Sequence, residues 1–489
     1  MNQNSQNTIR RSASGFAVIM LFALLFSYPG QAQNNRDLIW PHFRGLNGSG
    51  VHETSGLPKA VGPDTNVIWK RQVPVGYSSP VLNDKYIFLT AIEEGKLLTI
   101  CLNRQTSATV WQAEAPRPRE EPIDNRNNPA SPTPAIDDQS VYVFFPDFGL
   151  LAYDFQGHEL WSLPLGPFHN GYGMGASPIV AGNKVVLVCD QTYGSFIIAV
   201  DKKTGRLAWQ KERPEAKSGH STPIVYQPVN GELQIIIPGS FLLISYSANT
   251  GERLWWVNGL PCEMKATPVI YNDMVFTHGF GMPQNDFGNQ SVIPAFDEAL
   301  TKFDANKDGL IDKAELPKDE PYNQVANMDL KEGGKLDAGE WNYFKASLAS
   351  VNSMMGIRLG GSGDRTDSGT VWRYYRRVPQ LPSPLVYNNK LYMINDIGFV
   401  TIFNPADGTV IKEGRLTAGG SQFYSSPVAG DGKIFFVSRG GKVSVLNADG
   451  STDIQAISDL KEECYATPAI ADGRLYIRTV GTLYCFGVK

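Results

Sequence analysis

The sequence predicts an all-β chain folded as an eight-bladed β-propeller of four-stranded antiparallel blades, with a small α-helical insertion in blade five. Three observations carry that reading. A Ser or Thr followed by Pro recurs at Ser79-Pro80, Thr133-Pro134, Ser177-Pro178, Thr222-Pro223, Thr267-Pro268, Ser383-Pro384, Ser426-Pro427 and Thr467-Pro468, with prolines 41 to 54 residues apart except for one interval of 116. After most of these anchors the same order of short apolar strands and polar turns returns, and a Trp closes most of the units. A period near 45 residues with four strands per unit is that of a propeller, because one blade cannot bury both its faces but a closed ring of blades can.

Composition agrees. The 489 residues are 42% hydrophobic and include 53 aromatic residues, 48 Gly and 32 Pro, which supplies both a sizeable core and many turns and argues against disorder. Residues 1–32 read as a secretory signal. Arg10 and Arg11 form a basic start, residues 16–26 (FAVIMLFALLF) are an apolar run too short to span a bilayer, and Gly30 and Ala32 offer small residues for cleavage. No Cys stands where lipidation would need one, so the expected mature chain is soluble and exported to the periplasm or the medium, with no transmembrane segment. Removing the two arginines takes the formal charge from −4 to −6, a mildly acidic balance that excludes nucleic acid and anionic membrane as expected partners.

Residues 33–280 are expected to hold a closing strand and blades one to five in part. The clearest copy of the repeat is IIAVDKKTGRLAW, residues 197–209, in which Asp201 and Gly205 serve the turn and Trp209 closes the outer strand. The last unit runs out after three strands, while NVIWKRQV, residues 66–73, supplies a Trp-bearing strand ahead of the first anchor. The N-terminal strand is therefore expected to complete blade eight, which removes two sheet edges with one pairing. Trp69, Trp111, Trp161, Trp209, Trp255 and Trp372 then become equivalent residues that pack between blades. Blades six and seven lack this Trp.

The long interval between Pro268 and Pro384 holds about 70 residues more than a blade requires, which places an insertion at residues 281–352, between the second and third strands of blade five; residues 353–489 complete the propeller. A hairpin tolerates this because loop-closure cost grows only logarithmically with length. Within it, DANKDGLIDKAE puts Asp304, Asn306, Asp308, Asp312 and Glu315 at positions 1, 3, 5, 9 and 12 of an EF-hand loop, with Gly309 at 6, the Leu310 carbonyl at 7 and Ile311 at 8. Alternate oxygens converge on one hard cation, Gly309 permits the sharp bend and Glu315 closes the cage, so one calcium ion is expected here. Residues 293–303 have the 3-4 apolar spacing of a helix leading into the loop. A second loop begins at Asp329 and ends at Glu340, but Lys331 and Gly333 occupy positions 3 and 5 and cannot donate a carboxylate, so it is expected to pair with the first through Ile311 and Leu336, and calcium binding by it is left open. Pro317 shortens the exiting helix. Five Cys form no disulfide framework: Cys101 and Cys485 replace the small core residue Ala199 of the repeat, and a bridge between Cys262 and Cys464 is left open.

The blade pattern AVDKKTGRLAW, the anchors and the opening WPHFRGLNGSG, residues 40–50, resemble the exported PQQ-like β-propeller repeat proteins. Relatives in that family include quinoprotein alcohol dehydrogenases and the propeller lipoprotein of the outer-membrane β-barrel assembly machinery. The resemblance implies the fold over residues 40–489 apart from the insertion. It does not carry PQQ over, because those dehydrogenases hold the quinone with an adjacent-cysteine disulfide and a metal, and this sequence has no Cys-Cys pair.

The loops before the anchors lead into the innermost strands and are expected to rim one mouth of the central channel. They present Tyr77, Arg126, His169, Tyr172 and His220 from the first four blades. Lys265, Arg377, Tyr424, Glu463 and Tyr465 follow from the remaining four. A funnel of aromatic, basic and histidine groups is expected to bind a ligand, anionic or sugar-like. The functional expectation is a non-catalytic binding or scaffold protein with a protein or glycan partner, the alternative being a quinoprotein-like oxidoreductase or another enzyme acting at the mouth.

Overall fold

The computed structural model describes residues 38–323, 333–416, 420 and 422–488. The signal segment and the start of the second loop, including Asp329 and Lys331, lie outside the described residues. Eight blades, each built on four antiparallel strands, follow one another in the chain as expected, and blades one and four each carry a short fifth strand at an edge. Blade three, for example, runs Ile179–Ala181, Lys184–Cys189, Phe196–Asp201 and Leu207–Glu212 from the channel outward. Its middle strands are buried almost throughout and its outer strand alternates, as expected of blades stacked face to face. Blade eight takes its outer strand, Val67–Gln72, from the N-terminal part of the chain, paired antiparallel with Thr482–Gly487. The ring is closed by that pairing.

Each repeated Trp stands opposite a small residue on the third strand. Trp69 faces Cys485, Trp111 faces Cys101, Trp161 faces Ala152, Trp209 faces Ala199, and Trp372 faces Gly356. The indole N–H of each then donates to a backbone carbonyl in the polar turn of the next blade: Arg104, Phe155, Lys202, Ala248 and Pro405 respectively. Five of the six tryptophans are thus docking points between blades. Trp255 is the exception and bonds Gln234 within its own blade at 3.0 Å. The cause lies in blade five, where the last turn is longer and its Gly363–Asp364 strand adds in parallel beside Arg253–Asn258.

The anchors form a hydrogen-bonded ring. The backbone N–H of Ser79 donates to the Thr133 hydroxyl at 2.9 Å, Thr133 to Ser177 and Ser177 to Thr222. Thr267 donates to Ser383, Ser383 to Ser426, Ser426 to Thr467, and Thr467 back to Ser79. Proline after each anchor fixes the backbone and removes a donor, so the anchor N–H is free to serve the neighbouring blade. The ring opens at one place, between Thr222 and Thr267, where the Thr267 hydroxyl is buried without a partner.

That gap is where the opening segment sits. Leu38–Trp40 pairs antiparallel with Val81–Asn83 of blade one. From there the chain crosses the channel, accepting at Pro41 O from Ile136 N of blade two and exchanging two hydrogen bonds between Asn47 and Val225 of blade four. Arg44 donates to Pro384 O of blade six at 2.7 Å, and Gly50 O accepts from Ala429 N of blade seven. Gly48, with φ +67°, lies so close to the methyls of Thr267 and Ile224 that a Cβ there would stand 3.0 and 3.2 Å from them. Residues 40–50 therefore plug the channel from below the anchor ring. The resemblance to the propeller family had marked this segment, but not its role.

The insertion leaves blade five after Met274–Gly279 and returns at Ser353–Arg358. It contains helix α1 (Phe296–Phe303) and helix α2 (Ala338–Ala349), joined through a short antiparallel pairing of Ile311 with Leu336. Ile293, Phe303, Ile311, Leu336, Trp341 and Phe344 form its own small core. Helix α2 rests on the propeller: the Tyr343 ring packs against Phe241, and its hydroxyl lies 3.4 Å from that of Ser240.

Candidate ligand site at the channel mouth

Above the anchor ring lies a cavity of about 300 Å³ to which the loop before every blade contributes. Its floor is the seven ring hydroxyls of Ser79, Thr133, Ser177, Thr222, Ser383, Ser426 and Thr467, with Phe43 of the plug beneath them. Each of these hydroxyls accepts a backbone N–H, so each retains its own O–H for a ligand or water. The pocket is blind because the plug occupies the channel below.

One wall is aromatic. The rings of Tyr77 and Tyr465 stack 4.0 Å apart at 8°, and Tyr424 leans on Tyr465 at 5.6 Å. Burial pushes the Tyr465 hydroxyl up to about 12. Arg439, from the second-to-third-strand turn of blade seven, backs this wall, donating to Tyr465 Oη at 3.0 Å and pairing with Glu463 at 3.1 Å. On another wall the half-buried His220 meets Tyr172 edge-on, and Gly175 leaves room for its ring. Burial, aided by the Lys265 charge, lowers His220 to about 3, so its imidazole is neutral.

The cations of the mouth are already matched. Arg126 grips Asp124 through Nε at 2.6 Å and Nη2 at 2.9 Å, and this holds the Asp124 carboxyl down near 2. Asp124 also accepts the Arg126 backbone N–H, which turns the loop so that both side chains face the same way. Lys265 lies 3.4 Å from the Glu263 carboxylate and donates to the Glu263 carbonyl at 3.1 Å. In each case the carboxylate precedes the cation by two residues.

Of the residues expected at the mouth, Tyr77, Arg126, Tyr172, His220, Lys265, Tyr424 and Tyr465 line one cavity. His169 does not; it stacks on Tyr193 and lies 2.9 Å from its hydroxyl. Arg377 turns away as well, over the Phe399 ring and onto Glu413 at 2.8 Å. Glu463 stays behind the wall. Asp124, Asn127, Glu263, Gln380, Phe43 and the ring hydroxyls are lining residues that sequence reasoning missed. The D-x-R and E-x-K spacing just ahead of two anchors was the available signal.

The acidic loop of the insertion is closed on itself. Glu315 folds across it, one carboxylate oxygen accepting from Ala305 and Asn306 N and the other from Asp312 N. Asp304 accepts from Asp308 N and Gly309 N, with Gly309 at φ +79°. The Lys335 ammonium reaches from the paired strand to Asp308 and lowers its pKa. Among the described residues no group of three or more His, Cys, Asp or Glu side chains converges as a metal cage. Lys335 holds the position of positive charge that a cation would otherwise supply. The oxygen donors are nevertheless those of a hard-cation loop in type and order, and Glu315 already lies over it.

Cys262 and Cys464 do not bridge. Cys262 lies 3.5 Å from the Ser347 hydroxyl under α2, and the Cys464 thiol points at Arg478 O, 3.2 Å away; all five cysteines are free and buried. No described helix is long and apolar enough to cross a membrane.

Comparison with known proteins agrees with this architecture. The protein family described as outer membrane protein assembly factor BamB matches residues 101–255 and again 194–489. No curated protein matches by sequence. Among solved structures, BamB from Moraxella catarrhalis is 14% identical, with a TM-score of 0.53, over 86% of this chain and 98% of its own. A europium-containing methanol dehydrogenase is 9% identical with a TM-score of 0.58 over 93% and 98%. The quinohemoprotein alcohol dehydrogenase ADHIIG from Pseudomonas putida HK5 is 13% identical with a TM-score of 0.57 over 93% and 80%. At these identities the structures share the fold.

Proposed function

Because this chain belongs to the family described as outer membrane protein assembly factor BamB, we propose that it is an exported binding or scaffold propeller, not an enzyme. On this reading it takes a protein or glycan partner at the channel mouth and carries calcium in the insertion. The observation that carries this reading is the geometry of the mouth, where each lining cation is held by a carboxylate of its own loop opposite a wall of stacked tyrosines. Asp124 lies near 2, His220 near 3 and Tyr465 near 12, all far from neutrality, whereas a general acid or base works best with a pKa near the working pH. Such groups are set for holding a ligand rather than for moving a proton. Export rests on the sequence of residues 1–32.

The fold is shared with quinoprotein dehydrogenases, which is what favours the second reading, an oxidoreductase acting at the mouth. The residues do not fit the family's quinone cradle: the five cysteines are separate and buried, and none lines the cavity.

Calcium would be held by the side chains of Asp304, Asn306, Asp308, Asp312 and Glu315 and by the Leu310 carbonyl. When bound it neutralises a crowded set of carboxylates and stiffens the loop. Lys335 would have to release Asp308.

The test is affinity capture from an extract of the native cells with the wild-type chain and with Tyr465→Ala. Capture that is lost in the variant while its melting temperature stays close to wild type supports the mouth as the binding site. Capture unaffected by the variant, or turnover of a substrate by the purified protein, overturns the proposal.

A further inference from the structure

Resting on the reading of the mouth as a binding site, we infer that its ligand is a neutral pyranose sugar, free or as the end of a glycan. Two properties of the cavity point away from an anion. First, each cation that lines it is matched by a carboxylate two residues earlier in its own loop, Arg126 by Asp124 and Lys265 by Glu263. An anion would have to displace those carboxylates or sit beside them. Second, the buried Arg44 guanidinium is not among the lining groups; it lies below the ring and donates to Pro384 O.

The same pairs suit a hydroxyl. A sugar hydroxyl is donor and acceptor at once, and a carboxylate beside a guanidinium or ammonium offers an acceptor and a donor side by side. The Gln380 amide, which bonds no other described side chain or backbone group, adds both roles, and the hydroxyls of the floor add donors. The stacked Tyr77 and Tyr465 with Tyr424 give an apolar wall against which the C–H face of a pyranose ring packs, while the hydroxyl edge turns to the charged pairs. A cavity of about 300 Å³ is at the small end of ligand sites, which sets the bound unit at one or two sugar rings.

Titration calorimetry of the full chain tests this with glucose, galactose, mannose and N-acetylglucosamine, each free and as its methyl glycoside. Glucuronate and glucose 6-phosphate are the anionic arms. The expected result is binding of at least one neutral sugar, with an affinity that does not change between low and high salt, since no net charge is neutralised. Tyr465→Ala should weaken it by about tenfold or more, and Tyr465→Phe, which keeps the stack, should retain most of it; thermal unfolding confirms that both variants fold. A methyl glycoside that binds as well as the free sugar identifies a glycan end, and one that does not identifies a free sugar. Binding of the anionic arms alone, affinity that falls with salt, or no heat from any neutral sugar would overturn the inference. If no sugar binds but a partner is captured through Tyr465, the ligand class falls and the binding role stands; if neither occurs, both fall.

Discussion

Trp209 of blade three donates its indole N–H to Ala248 O of blade four at 3.1 Å, and its ring lies against Gly251 so closely that a Cβ there would stand 2.6 Å away. One side chain thus joins two blades by a hydrogen bond and by packing onto a turn that must be glycine, since Gly251 has φ +74°. The same packing recurs where Trp111 meets Gly157, Trp161 meets Gly205 and Trp372 meets Gly408.

Trp209→Ala should therefore cost about 3–5 kcal/mol, the usual range for emptying a buried Trp site. Gly251→Ala should also destabilise, through both clash and strain. Urea unfolding followed by tryptophan fluorescence and circular dichroism measures both, and a loss below about 1 kcal/mol for Trp209→Ala would show that the docking is dispensable.

Asn47 ties the plug to blade four by two hydrogen bonds with Val225, at 2.9 and 2.8 Å. Asn47→Ala leaves both backbone groups of partly buried Val225 without these partners and should cost about 1–3 kcal/mol. Chemical denaturation checks it.

Burial lowers His42 to about 4, His220 to about 3 and His278 to about 4, all from 6.5. Their native states are neutral, so the unfolded chain binds more protons below pH 6.5. Stability is complete above that pH and should fall as pH drops from 6.5 through 4 to 3. His278→Gln should flatten the slope of unfolding free energy against pH in that window, and an unchanged slope would contradict the assignment.

In the insertion, Glu315→Gln should weaken calcium binding severely, because it removes charge and the bidentate closure of the loop. Glu340→Gln should have little effect on calcium, although Glu340 Oε2 accepts the Asp337 N–H and its loss will loosen the start of α2. Lys335→Ala should tighten calcium binding, since Lys335 competes for Asp308. Calorimetry should give one ion per chain; two ions, or equal damage from both glutamate variants, would contradict this account.

The ring of blades was legible because its signals are local and repeated. Ser/Thr-Pro marks where each innermost strand begins, and a Trp facing Ala199 or its counterparts marks where six of the eight blades end. The closing strand could be read from Trp69 because blade eight lacked one. The plug could not, since Arg44 finds Pro384 and Asn47 finds Val225 at separations of 340 and 178 residues, and no spacing in the chain encodes such contacts. At the mouth, Tyr77 and Tyr465 were identifiable by their place before the anchors, but their stacking depends on blades one and eight meeting. His169 and Arg377 occupy similar places and point elsewhere because Tyr193 and Phe399 offer them ring faces. Asp124 and Glu263 are not marked by the repeat, because their place at the mouth depends on pairing with Arg126 and Lys265 two residues on.

The central claim is that the mouth above the anchor ring is a preformed, blind binding pocket, and a crystal of the chain soaked with a set of small polar fragments tests it most directly. The account predicts bound fragments between the Tyr77–Tyr465 wall and the Arg126–Asp124 pair, above Phe43, with the plug unmoved. Fragments that leave the mouth empty, or that pass Phe43 into the channel below, would contradict it.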